Sequence, residues 1–263
     1  MMNIKPQMTL LKAQASYRGD PTTIFHQLCG ARPATLLLES AEINSKQNLQ
    51  SLLVIDSALR ITALGHTVSV QALSANGAAL LPLLDEALPP EVRNQARPNG
   101  RELTFPAIDA VQDEDARLRS LSVFDALRTL LTLVDSPADE REAVMLGGLF
   151  AYDLVAGFED LPALRQDQRC PDFCFYLAET LLVLDHQRGS ARLQASVFSE
   201  QASEAQRLQQ RLEQLQAELQ QTPQPIPHQT LENMQLSCNQ SDEEYGAVVS
   251  GLQEAIRQGE IFQ

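Results

Sequence analysis

The run SLLVIDSALRITALGHTVSVQAL, from Ser51 to Leu73, restricts the fold more than any other part of the chain. It holds three β-rich stretches, Leu52–Asp56, Leu59–Leu64 and Thr67–Leu73, separated by Asp-Ser and Gly-His. Successive side chains in a strand point to opposite faces, so this alternation predicts an antiparallel meander that turns at the two breaks. A second hairpin is expected from Phe173–Leu184 and Ala191–Phe198 around the turn DHQRGS. Each sheet needs apolar cover, which places the chain in the α/β class.

The helices that supply cover are legible from caps and spacing. Asp20 caps a short helix with Pro21 at its first position and Gly30 past its end. The next segment, PATLLLESAE, reads as a strand running into an acid and a hydroxyl. Ala78–Leu88 reads as a helix stopped by Pro89-Pro90, and 89–117 as loop with one short strand at Glu102–Phe105. Ser122 is expected to cap a helix through Val134, with Val123, Phe124, Leu127, Leu130, Leu131 and Val134 on its apolar stripe. Residues 144–158 read as buried, with Gly147-Gly148 marking a bulge or a close approach of backbones.

Between Ser203 and Gln221, Ala205, Leu208, Leu212, Leu215 and Leu219 form an amphipathic stripe too short for a dedicated coiled coil. The proline-rich 222–229 then reads as a linker. The expected organisation is therefore a domain over 1–221, a linker over 222–229 and the start of a second domain over 230–263. Within the last part, Met234–Cys238 reads as a strand, and Ser241 with Glu244 as a capping box. Tyr245, Val248, Val249, Leu252, Ala255 and Ile256 share one helical face, and Gly259 ends the helix. Ile261 and Phe262 read as the opening of an apolar strand whose polar edge groups would need partners, so the chain is expected to be part of a longer one.

The formal net charge of −14 argues against a nucleic-acid partner and against an anionic membrane surface. No apolar run has the length of a membrane span, and no secretory signal is legible, so the cytoplasm is expected. Cys29, Cys170, Cys174 and Cys238 are too sparse for a disulfide scaffold, and neither they nor His26 have zinc-site spacing. Gly147-Gly148 lacks the pattern of a phosphate-binding loop. The acidic runs 113–117 and 138–142 read as solvated faces. The residues alone thus yield an α/β chain with two antiparallel meanders and no self-contained active site.

Three segments carry a family resemblance. They are PATLLLESAE with the meander behind it, LGGLFAYDLVAGFEDLP followed by CPDFCFYLAETLLVLDH, and the capped helix closing in AIRQGEIFQ. In order and spacing they resemble the large subunits of anthranilate synthase (component I), of the enteric-bacterial type, among the chorismate-utilising enzymes. The resemblance runs from about residue 7 to the last residue and implies the N-terminal half of a two-lobed fold. Antiparallel sheets are then expected to pack face to face with helices outside.

The resemblance also implies chemistry. Chorismate and ammonia, with Mg2+, give anthranilate and pyruvate, the first step of tryptophan biosynthesis. A glutamine amidotransferase subunit, component II, supplies the ammonia within a heterotetramer. Most of the catalytic half and all metal ligands are expected beyond residue 263, so this chain is expected to be inactive by itself. Gln263 falls on the family's G-[DE]-I-F-Q motif and is implied to line the chorismate pocket, where related isochorismate-forming enzymes carry lysine. L-tryptophan is implied as a feedback inhibitor bound by Leu38, Glu39 and Ser40, with Arg128 and Cys174 coupling that pocket to the rest. Two other readings fit the same residues: the large subunit of aminodeoxychorismate synthase, and a non-catalytic module for tryptophan or subunit binding.

Overall fold

The computed structural model describes residues 5–39, 49–107, 113–137, 140, 142–157, 170–223 and 237–262. The chain divides into two compact units, Met1–Pro225 and Ile226–Gln263. In the first, the order is β1 (Thr9–Ala15), α1 (Pro21–Cys29), β2 (Leu36–Glu39), β3 (Gln50–Leu64), β4 (Thr67–Ala72), α2 (Ala75–Ala78), α3 (Leu80–Ala87), β5 (Arg93–Arg97) and β6 (Gly100–Thr104). There follow α4 (Glu114–Arg119), α5 (Phe124–Leu131), β7 (Leu146–Phe150), a 3-10 turn (Tyr152–Gly157), β8 (Phe173–Asp185), β9 (Ser190–Val197) and α6 (Ala202–Gln220). The second unit holds α7 (Asp242–Gln258).

Among the described residues, all nine strands join one antiparallel sheet with flanking helices, in the expected α/β class; a single sheet with two halves takes the place of separate sheets. Two long strands, β3 and β8, run side by side through its centre and serve two half-sheets. In one half the order is β1-β9-β8-β3-β2; in the other it is β7-β8-β3-β4-β6-β5.

The junction between the halves corrects one expectation. Asp56-Ser57 is not a turn but a set of register shifts inside the continuous 15-residue β3, between Val54 and Leu59. A bulge bends the strand and increases its twist. Asp56 stays in the sheet because its carboxylate is held on three sides. Arg32 reaches it at 3.0 Å, Arg211 at 2.9 Å and the Thr180 hydroxyl at 2.6 Å.

Helices cover one face of each half. Leu208, Leu212, Leu215 and Leu219 of α6 pack with Ile24 and Leu28 of α1 against Leu53, Ile55, Leu182, Leu184 and Leu193. In the other half, Leu80 and Leu84 of α3 and Ala126, Leu127 and Leu130 of α5 cover Leu59, Ile61, Val68, Val70, Leu103 and Leu177. Near the junction, Val54, Ala178, Leu181 and Val183 form a third cluster on the opposite face, with Leu36, Leu52 and Met145 against it.

Several local expectations change. β5 lies in the stretch read as loop; all five of its residues are exposed, so it has no apolar alternation to reveal it. The hairpin β5–β6 closes at Pro98-Asn99, where Asn99 takes φ 56°. α4 was likewise hidden in that stretch. α5 is shorter than the span Ser122–Val134, and Ser122 does not cap it with its hydroxyl: Asp125 accepts from the Ser122 backbone N–H at 2.7 Å instead. Leu131 leaves the expected stripe and is exposed. The stretch 144–158 is only partly buried, for Phe150 is 51% and Tyr152 93% exposed.

In the second unit the Ser241–Glu244 capping box forms, and Gly259 ends α7 at φ 76°. The expected apolar face is there, yet Tyr245, Val248, Leu252 and Ile256 are exposed. Ile261 and Phe262 are not in a strand, nor are Ser237 and Cys238. Met234–Leu236 and most of the proline-rich linker lie outside the described residues.

Candidate functional site

The LLES segment begins on β2, which pairs with β3 alone among the described residues. Leu36 lies opposite Val54, Leu37 opposite Leu53, Leu38 opposite Leu52 and Glu39 opposite Ser51. Strand periodicity then separates Leu38 from Glu39. Leu38 shares the face of Leu36, Leu52 and Met145, whereas Glu39 shares the face of Leu37 and Leu53, which the α1–α6 layer covers. A ligand that touches both Leu38 and Glu39 has to reach around β2, past its edge or its end at Glu39. Ser40 lies outside the described residues.

On the Leu38 side, β7 supplies the neighbouring surface. A Cβ placed on Gly147 would lie 3.5 Å from Leu36 Cδ1 and 3.7 Å from both Leu38 Cδ1 and Met145 Cε. Gly147 pairs with Tyr176 on β8, and Leu149 pairs with Cys174. Burial and the hydrogen-bonding contact with Cys174 raise the Tyr176 phenol above its ordinary value. Leu38, Gly147, Tyr176 and Cys174 thus run from one half-sheet to the other on the face opposite the helix-covered clusters. Arg128 does not join it. It sits on α5, against the opposite face, exposed and paired with Asp125 at 2.9 Å.

Behind Glu39 the sheet is polar and tightly bonded. Ser51 is fully buried, and its hydroxyl lies 2.8 Å from His186 Nε2. The Tyr17 hydroxyl lies 3.0 Å from His186 Nδ1, with the two rings edge to face. The Glu39 side chain is exposed and makes no hydrogen bond or ion pair with another described residue. The edge therefore offers an uncommitted carboxylate on one side and an apolar surface on the other. That arrangement suits a ligand with a cationic and an apolar part.

Gly147, Met145 and Tyr176 were not among the residues expected at this site. The Gly147-Gly148 pair was their only signal, and it pointed to backbone approach. That reading holds for Gly148, where a Cβ would lie 2.2 Å from the Cys174 carbonyl oxygen.

Among the described residues no group of three or more His, Cys, Asp or Glu could hold a metal ion. Gln263 lies outside them. All four cysteines are free, and burial pushes the Cys29 thiol up to about 11, which keeps it protonated. No helix among them is long and apolar enough to cross a membrane.

Comparison with known proteins adds identity to this geometry. The family described as chorismate binding enzyme matches residues 91–263. Anthranilate synthase component 1 of Serratia marcescens is 94% identical over 262 residues, which cover 100% of this chain and 50% of that protein. The Escherichia coli K12 protein of the same name is 59% identical over 263 residues, covering 100% of this chain and 51% of its own length. A solved structure of anthranilate synthase component I from Streptococcus pneumoniae aligns at a TM-score of 0.42 and 17% identity, over 94% of this chain and 46% of that one. The chain spans about half the length of the curated relatives it matches.

Proposed function

The chain belongs to the chorismate binding enzyme family, and we propose that it is the N-terminal half of an anthranilate synthase component 1. The complete protein would be a lyase that converts chorismate and ammonia to anthranilate and pyruvate in the cytoplasm. The carrying observation is the 94% identity to a component 1 protein across the whole chain. Its partner would be a glutamine amidotransferase, component II, in a heterotetramer.

By the family resemblance, Mg2+ and the groups that polarise chorismate would come from the remaining half of the complete protein. What this half contributes is the control site. L-tryptophan fits the β2 edge: its ammonium meets the Glu39 carboxylate, and its indole lies on the Leu36–Leu38 surface. Ser40 follows as a hydrogen-bonding partner. Cys174, joined to Leu38 through Tyr176 and Gly147, carries the coupling role; Arg128 would couple from α5 on the opposite face. Gln263 lines the chorismate pocket with a neutral amide that cannot activate water.

An ammonia-dependent anthranilate fluorescence assay tests this reading. The complete protein is expected to form anthranilate and the 263-residue chain to form none. Turnover of chorismate by the chain alone, or none by the complete protein, would overturn it.

A further inference from the structure

We propose that Gly147 is a positioning residue for the effector site, setting the height at which Leu38 lies; this rests on the reading that tryptophan binds the β2 edge. The adjacent glycines of β7 are glycine for different reasons. At Gly148 the obstacle is backbone: a Cβ would lie 2.2 Å from the Cys174 carbonyl oxygen and 2.6 Å from Phe175 Cα. Gly147 faces no such obstacle. Its φ is not positive, and the three atoms nearest a Cβ there are the ends of Leu36, Met145 and Leu38, at 3.5–3.7 Å. Neither backbone conformation nor backbone crowding calls for glycine.

What the missing side chain supplies is room for those three side chains to lie down on the sheet. Gly147 is buried beneath them. A Cβ alone is accommodated, but the methyls of a valine are not, because close-packed side chains yield only by moving outward. Leu38 is then lifted toward the side on which the effector's ring rests. The displacement also reaches Tyr176, which pairs with Gly147 across the strands and contacts Cys174.

The experiment uses the complete enzyme and reads half-inhibition by tryptophan alongside kcat and KM for chorismate. Gly147→Val should raise the half-inhibiting concentration by about tenfold, the equivalent of one badly seated contact, and leave kcat and KM within about twofold. Adding Met145→Ala, which removes the Met145 Cε beside that position, should bring the half-inhibiting concentration back toward the parent's. A purely structural role would move stability without this rescue. Should valine prevent folding, Gly147→Ser is read instead, whose single Oγ beyond the Cβ crowds the same three side chains, with a shift of about threefold. An unchanged half-inhibiting concentration in a folded variant overturns the inference alone. A parent enzyme indifferent to tryptophan overturns the effector reading and the inference together.

Discussion

Arg211 on α6 donates from Nε to Asp56 on β3 at 2.9 Å, across 155 residues of sequence. The pair ties the helix layer to the point where the central strand changes register. Burial by itself would raise the Asp56 carboxyl. The hydrogen bonds from Arg211 and Thr180, and the charge of Arg211, outweigh burial and hold it below the ordinary aspartate value.

Asp56→Asn should therefore lower unfolding free energy by about 2–3 kcal/mol at pH 7, since three donors lose an ionic acceptor in a half-buried site. The sign of the pH dependence follows from linkage. A carboxyl with a depressed folded value stabilises the native state above its unfolded value of about 3.9, and that contribution disappears as pH falls through the folded value. Urea denaturation from pH 7 down to pH 3 should show the gap between parent and variant closing in the acid range. A constant gap would contradict the assignment.

The two β7 glycines should respond oppositely to alanine. Gly148→Ala forces apart β7 and β8 and should cost about 3 kcal/mol or more. Gly147→Ala should stay within about 1 kcal/mol of the parent. Thermal melts of the two variants check this, and similar losses at both positions would contradict it.

The 263-residue chain should bind tryptophan no more tightly than about 1 mM, because one exposed face of β2 gives the indole a single wall. Isothermal calorimetry provides the check. Sub-millimolar binding would mean that this half carries the whole pocket.

The exposed apolar face of α7 should drive self-association of the chain. Leu252 is 51% exposed in its centre, so Leu252→Glu should shift sedimentation toward monomer. A parent chain that sediments as a clean monomer at tens of micromolar would count against this.

In the complete enzyme, Gln263→Lys should divert part of the reaction to water, because an amine can act as a general base where an amide cannot. Chromatographic detection of isochorismate checks this. Full anthranilate activity with no isochorismate would remove Gln263 from its proposed role.

Elements with a strong period or cap were legible in the chain: α1 from Asp20 and Pro21, α6 from its leucine stripe, α7 from its capping box, and the β8–β9 hairpin. What escaped has identifiable causes. Asp56-Ser57 has the composition of a turn, and only partners far away in sequence, Thr180 and Arg211, make it a bulge. β5 carries only one apolar residue, Ala96, among polar ones and is exposed along its whole length, although the Pro98-Asn99-Gly100 turn was a usable signal.

At the candidate site the LLES motif pointed to β2, but it could not show that Leu38 and Glu39 part to opposite faces, which follows only once β2 is known to end as a strand at Glu39. Gly147 and Tyr176 were invisible because their importance lies in which strand stands beside them.

The placement of β3 beside β8 also bears on how the chain is made. Their nearest paired residues, Ala63 and Phe173, are about 110 residues apart. At a ribosomal pace of about 5–20 residues per second, β3 emerges on the order of ten seconds before its central neighbour. During that wait the edge of β3 that β8 will cover is unpaired, which makes it the part of the nascent chain most open to wrong strand pairing.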